Sequence, residues 1–353
     1  SSSACHVFVD TPKPETDAAQ SGGAFRQSWG VQLLELQRFT KNGDEGRVHF
    51  SRDEGQIPTA EEMEGMGIKL FVGVGLETTG ATTYNEQDIR NLLAWLNRNP
   101  NEYHAVIDAA SVLGAMPWTE DLVQQVMSKC CLFMPVQKAI GGTAGYFIVS
   151  LTPEARSLVE QNVNDPSWSI PRQLKLAIPE NAKLPISSKK TTALGPFYDP
   201  AQDKMLGGII NTFSAIAFAE TTFGLLQMEK KVGSVRQMNQ RSVANRQFVS
   251  AWAAHSVLFE MSPEDESRRG AAVTLLKVND PDITDADTHG NIIAKTKQLL
   301  GFEGLTHPNG EYEPGLDVAR YVNAFPGTPG DFRLWTGGAR PESDIAAVLD
   351  NLE

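Results

Sequence analysis

Apolar positions along the chain follow two alternating periods. Short apolar runs at residues 7–9, 69–74, 104–107, 131–136 and 146–151 predict buried β-strands. Between them the spacing becomes helical. Ile89, Leu92, Leu93 and Leu96 share one face of a helix predicted over residues 85–99, with Asn85 as its N-cap. Residues 118–129 read as a short helix, and Phe25, Trp29, Leu33, Leu36 and Phe39 predict another. The order β-α-β-α-β-β argues for an α/β sheet, parallel at least in its centre. Residues 13–23 read as a loop, 43–64 as charged and irregular, and 166–204 as a long excursion rich in Pro, Lys and Ser. Residues 216–257 are strongly helical, with a break near Gly233. Strands at 271–278 and 332–335 alternate with helices at 292–300 and 341–352, the last with Glu342 or Ser343 in its first turn. This pattern predicts a smaller C-terminal α/β domain. The expected division is a large domain over residues 1–250 and a small one over 251–353.

Composition narrows the function classes. The 353 residues are 41% hydrophobic and 21% charged, enough for a substantial core. A net charge of −12 and a pI near 5.1 argue against sequence-independent binding to nucleic acid or an anionic membrane. The three cysteines are Cys5, Cys130 and Cys131. Adjacent cysteines in a strand point to opposite faces, so a disulfide framework is not expected, and a reducing compartment is: the cytoplasm or an organelle matrix. The spacing of the Cys and His residues matches no zinc motif. No apolar stretch is long enough to span a bilayer, and the first residues lack the basic region of a signal peptide.

Candidate chemistry sits at two strand ends. The run Cys130-Cys131-Leu132-Phe133-Met134-Pro135 leads into Val136-Gln137-Lys138-Ala139-Ile140-Gly141-Gly142. A lysine at the mouth of a buried strand is desolvated, which lowers its pKa and leaves a neutral amine able to attack a carbonyl. The aldehyde of pyridoxal phosphate is the best-known carbonyl for such an amine, and that cofactor needs an acid beside its pyridinium nitrogen. Val106-Ile107-Asp108-Ala109-Ala110-Ser111 supplies a carboxylate at the preceding strand end. In a parallel sheet both ends emerge at one edge, where α/β enzymes bind ligands. By spacing alone a second reading stands beside this one, with Lys138 an ordinary loop lysine and Asp108 a helix N-cap.

With these motifs the chain resembles the phosphoserine aminotransferases, in the class V branch of fold-type I enzymes that use pyridoxal phosphate. The resemblance runs from about Val7 to the end. It implies a mainly parallel central sheet flanked by helices, with a smaller C-terminal α/β domain. Gln137-Lys138 with Gly141-Gly142 matches the family's cofactor-lysine motif, with Gln137 orienting the cofactor. Asp108-Ala109-Ala110-Ser111 matches the motif whose acid pairs with the pyridine nitrogen, which places Ser111 at the cofactor as well. Ile210-Asn211-Thr212-Phe213 resembles the pair that reaches across a homodimer to the partner's cofactor phosphate, and Asn211-Thr212 also reads as a helix N-cap. Phe332-Arg333-Leu334-Trp335-Thr336-Gly337-Gly338 resembles the segment whose arginine clamps the substrate α-carboxylate. In Glu77-Thr78-Thr79-Gly80, the resemblance assigns Thr78 to the cofactor ring oxygen. Gly22-Gly23-Ala24-Phe25 resembles a motif whose aromatic stacks on the pyridine ring, with Trp29 the competitor of Phe25.

The resemblance implies transamination of phosphoserine with 2-oxoglutarate in serine biosynthesis, by a homodimer acting on small-molecule substrates. The pattern departs in two places. The family's N-terminal substrate-phosphate and cofactor-phosphate residues have no counterpart here, so the chain is expected to lack that part. The family's second substrate-phosphate arginine lies a few residues before the carboxylate arginine, which makes Arg320 the nearest candidate across a longer segment through Pro326-Gly327-Thr328-Pro329, and Arg268-Arg269 stands where the family has Arg-Ser. A serine- or alanine-type class V activity and a catalytically impaired scaffold subunit are the alternatives.

Overall fold

The computed structural model describes residues 4–8, 48–51, 56–78, 80–142, 147–163, 198–199, 204–205, 215–279, 322–323, 331–350 and 352. In chain order, β1 (Ala4–Phe8), β2 (Val48–Ser51), α1 (Ala60–Gly65), β3 (Ile68–Val74), β4 (Leu76–Glu77), β5 (Thr82–Thr83), α2 (Glu86–Arg98), β6 (His104–Asp108), α3 (Glu120–Lys129), β7 (Cys131–Pro135), β8 (Phe147–Ser150) and α4 (Pro153–Val163) come first. There follow β9 (Tyr198–Asp199), β10 (Lys204–Met205), α5 (Ala215–Lys231), α6 (Val235–Ala253), β11 (Phe259–Ser262), β12 (Val273–Val278), β13 (Val322–Asn323), β14 (Asp331–Trp335) and α7 (Glu342–Asp350).

The main sheet has the order β2-β1-β3-β6-β7-β8. All neighbours pair parallel except β7 and β8, which are antiparallel. From β2 onward, helices α1, α2 and α3 link the parallel strands, because only a crossover can bring the chain back to the same strand end. The helix predicted over 85–99 forms as α2. Asn85 and Asp88 cap each other's backbone amides at 2.9 and 3.0 Å, and Ile89, Leu92, Trp95 and Leu96 are buried. They join Phe71, Ile107, Val112, Val126 and Leu132 in one core beneath the sheet.

The segment read as irregular, 43–64, contains β2 and all of α1 except its last residue, Gly65. Four and six residues are too short for either period to register, and α1 is held instead by a capping box between Thr59 and Glu62. The predicted helices at 25–39 and 292–300 lie outside the described residues. Within the excursion, β9 and β10 form an antiparallel pair.

A second sheet runs β11-β12-β14-β13 and is antiparallel throughout. The strand β11 is absent from the sequence reading because its four residues, Phe-Glu-Met-Ser, follow directly on helical apolar positions. The long helical stretch divides where expected: Gly233 adopts φ +100°, and Ser234 caps α6 by accepting from the Gln237 amide at 3.2 Å. α6 joins the two sheets. Val249 and Ala253 pack with Phe259, Leu276, Phe332 and Leu334 of the second sheet.

Candidate active site

The parallel register brings three chain segments to one edge. Val74 of β3 lies beside Asp108 of β6, and Asp108 beside Phe133 of β7. The carboxyl ends of these strands therefore finish together, the position at which open α/β sheets bind ligands.

Asp108 is the last residue of β6 and is half-buried. Its Oδ1 accepts from the Ala110 amide at 2.8 Å as the chain turns away. Burial raises its pKa above the ordinary carboxylate value, while the Ala110 amide and the charge of Lys138 pull it back. Ser111, one residue on from Ala110, is buried.

Lys138 stands three residues beyond β7, in a turn rather than at the strand terminus. Two backbone bonds close that turn, Gly141 N–H to the Lys138 carbonyl at 3.1 Å and Gly142 N–H to the Val136 carbonyl at 2.9 Å. The glycine pair has a physical reason. Gly141 adopts φ +77°, and a Cβ on Gly142 would stand 2.5 Å from Thr221 Oγ1 of α5. The turn presents Lys138 half-buried, with Nζ donating to Ser111 Oγ at 3.2 Å. Burial, and next the charge of Arg333, push the lysine pKa down, and Asp108 and Glu77 oppose them.

Arg333 comes from the second sheet, where it lies opposite Leu275 and Asn323. It is half-buried; burial lowers its pKa and the charge of Glu77 raises it. Lys138, Asp108, Ser111 and Arg333, four of the residues singled out in the sequence, thus converge. Thr78 is half-buried in the β4–β5 hairpin beside Glu77. Gln137 is exposed. Phe25, Asn211, Thr212 and Arg320 lie outside the described residues. Arg268 pairs at 3.1 Å with Asp88, a buried residue at the start of α2.

Two features of the site were not singled out in the sequence reading. The first is Glu77, at the head of the Glu77-Thr78-Thr79-Gly80 segment, whose charge acts on both Lys138 and Arg333. The second feature is a polar stripe on α6. Asn239 and Met116 exchange two hydrogen bonds. Ser242 donates to the Gly114 carbonyl and accepts from the Gly338 amide, both at 2.6 Å. Asn245 donates to the carbonyls of Thr336 and Arg340 at 3.1 Å. Their spacing of three residues is visible in the sequence, but a polar stripe usually faces water. Here it bolts the loop after β6 to the loop after β14, and the cleft between them is lined by Ser111, Gly114, Lys138, Met238, Trp335 and Gly338.

The residues present suit pyridoxal phosphate. A desolvated amine suits its aldehyde, and a half-buried carboxylate whose Oδ2 accepts no hydrogen bond among the described residues suits a ring N–H. Ser111 and Arg333 add a hydroxyl and a cation beside them.

No family model and no curated protein matches the sequence. Solved structures do match the fold. A phosphoserine aminotransferase from Cytophaga hutchinsonii is 11% identical with a TM-score of 0.55, over 99% of this chain and 76% of that one. A ureidoglycine–glyoxylate aminotransferase from Bacillus subtilis is 12% identical with a TM-score of 0.59, over 99% and 72%. A variant of C-DES with glycine covalently linked to its PLP cofactor is 11% identical with a TM-score of 0.54, over 99% and 74%. The chain shares with these proteins a mixed, mainly parallel sheet flanked by helices.

Proposed function

We propose that this protein is a pyridoxal-phosphate-dependent aminotransferase. The observation that carries the reading is the pairing of a desolvated lysine and a desolvated carboxylate at neighbouring parallel strand ends, with an arginine reaching them from a second sheet. Bound there, the cofactor supplies an electron-withdrawing ring that stabilises negative charge at the substrate Cα. Asp108 keeps the ring nitrogen protonated. Lys138 holds the cofactor aldehyde while the site is free of substrate, then carries a proton between the substrate Cα and the cofactor C4′. Ser111 steadies the lysine amine, and Arg333 fixes the substrate carboxylate by a two-point contact.

In the same reading, Thr78, Gln137 and Phe25 orient the cofactor ring, and Asn211 and Thr212 hold the phosphate across a homodimer. Residues 1–250 form the cofactor-binding unit and 251–353 the smaller one. The proposed reaction is phosphoserine with 2-oxoglutarate, giving 3-phosphohydroxypyruvate and glutamate, with Arg320 toward the phosphate. The likeness to a ureidoglycine–glyoxylate aminotransferase favours a second reading, a glyoxylate-accepting relative with another donor. Incubation of the loaded protein with phosphoserine and 2-oxoglutarate, and separately with alanine or serine and glyoxylate, separates them. Glutamate formation in the first mixture supports phosphoserine, and turnover confined to the second overturns it.

A further inference from the structure

The hairpin that carries Glu77 meets the face of the second sheet that carries Arg333. Ala81, in the turn of that hairpin, packs in one apolar cluster with Val273 and Leu275, with Trp335 against them. Leu275 lies directly opposite Arg333 in the antiparallel register, so the two side chains share a face. The contact is pinned by backbone: the Gly270 amide donates to the Ala81 carbonyl at 2.6 Å, and Thr82 bridges to Arg269. Inside the turn the Gly80 amide donates to Glu77 Oε2 at 2.6 Å, which fixes where the carboxylate stands. Glu77 is half-buried, and its charge favours the protonated forms of both Arg333 and Lys138. An anion of the chain's own is thus held beside the two cations of the site, without a place in the chemistry assigned above.

We propose that Glu77 is a specificity-determining residue, an internal counter-ion with which a substrate carboxylate competes for Arg333. This rests on the reading of Arg333 as the carboxylate clamp. An incoming carboxylate meets a guanidinium already partly neutralised, in a half-buried site where like-charge repulsion is weakly screened. Ligands anchored by one carboxylate alone are therefore held weakly. A substrate that binds well has to bring further contacts, and the charge at position 77 sets how many it needs.

The test is binding of propionate, a carboxylate that cannot be transaminated, to the cofactor-loaded protein, followed by ligand-observed NMR titration. Glu77→Gln keeps an oxygen for the Gly80 amide and removes the charge. It should bind propionate about tenfold more tightly than the parent, a factor worth roughly 1.4 kcal/mol. Equal or weaker binding by the folded variant overturns the proposal. Should Glu77→Gln fail to fold, Glu77→Asp, whose shorter side chain withdraws the charge, must tighten binding in its place, and unchanged affinity there is equally fatal. Arg333→Gln separates the two readings. If it leaves propionate binding intact, the clamp itself is misassigned. If it abolishes binding while Glu77→Gln changes nothing, only the role of Glu77 falls.

Discussion

Asp108 is held where its charge is costly. Its carboxylate is half-buried, and burial raises its pKa. Between the ordinary aspartate value and the raised one the native state binds more protons than the unfolded chain, so stability falls as pH rises through that window. Without cofactor, Asp108→Asn should therefore melt about 1–3 °C higher than the parent at neutral pH. The difference should vanish below the ordinary value of 3.8. Scanning calorimetry at both pH values checks this, and identical melting at neutral pH would mean that the carboxylate carries no strain. With cofactor the same variant should lose most turnover, since an amide cannot hold the ring nitrogen protonated. Such a trade between stability and function is expected at a working site. Asp108 and Lys138 stand out in the sequence because each follows an apolar run, but by spacing alone a helix N-cap and a loop lysine explain them as well, and the resemblance is what weights them toward cofactor chemistry. Glu77 does not, because its significance arises only where a hairpin meets a strand some 250 residues later.

The turn around Lys138 and the helix α6 do most to position the site. Gly141 sits in the left-handed region, which an L side chain enters at a cost of about 1–2 kcal/mol. Gly141→Ala should lower the denaturant midpoint accordingly and slow capture of pyridoxal phosphate, because the turn that aims the lysine is strained. On α6, Ser242→Ala leaves the Gly338 amide and the Gly114 carbonyl without their buried partner, a loss of about 1–3 kcal/mol. Urea unfolding measures it, and a loss below ~0.5 kcal/mol would show that the bolt is not structural. Strong periodicity and caps made α2, β6, β7 and the break at Gly233 readable in advance. The short elements β2, α1 and β11 were not, since four to six residues give neither period room to repeat. For the C-terminal strands the sequence predicted alternation with helices. Their antiparallel pairing follows from long-range register, which local pattern does not encode.

At the scale of the molecule, an α/β core was legible from the order of elements, and the fold agrees with the structures of two aminotransferases only 11% and 12% identical to it. Among the described residues no helix is long and apolar enough to cross a membrane. The helix α5, next to the Lys138 turn, exposes Ile216, Phe223 and Leu226. An apolar helix open to solvent calls for a partner surface, and a second copy of the chain fits the proposed sharing of Asn211 and Thr212. Phe223→Asp combined with Leu226→Asp should shift the protein to monomer in sedimentation and weaken cofactor retention. A parent that is already monomeric yet binds cofactor tightly would remove the intersubunit assignment. The central claim is that Lys138 is the amine that takes the cofactor. Its most direct test is intact and peptide mass after incubation with pyridoxal phosphate and borohydride reduction. One added cofactor per chain is expected, on the peptide containing Lys138, and none in Lys138→Ala. An adduct on another lysine, or an equal adduct in the variant, would contradict it.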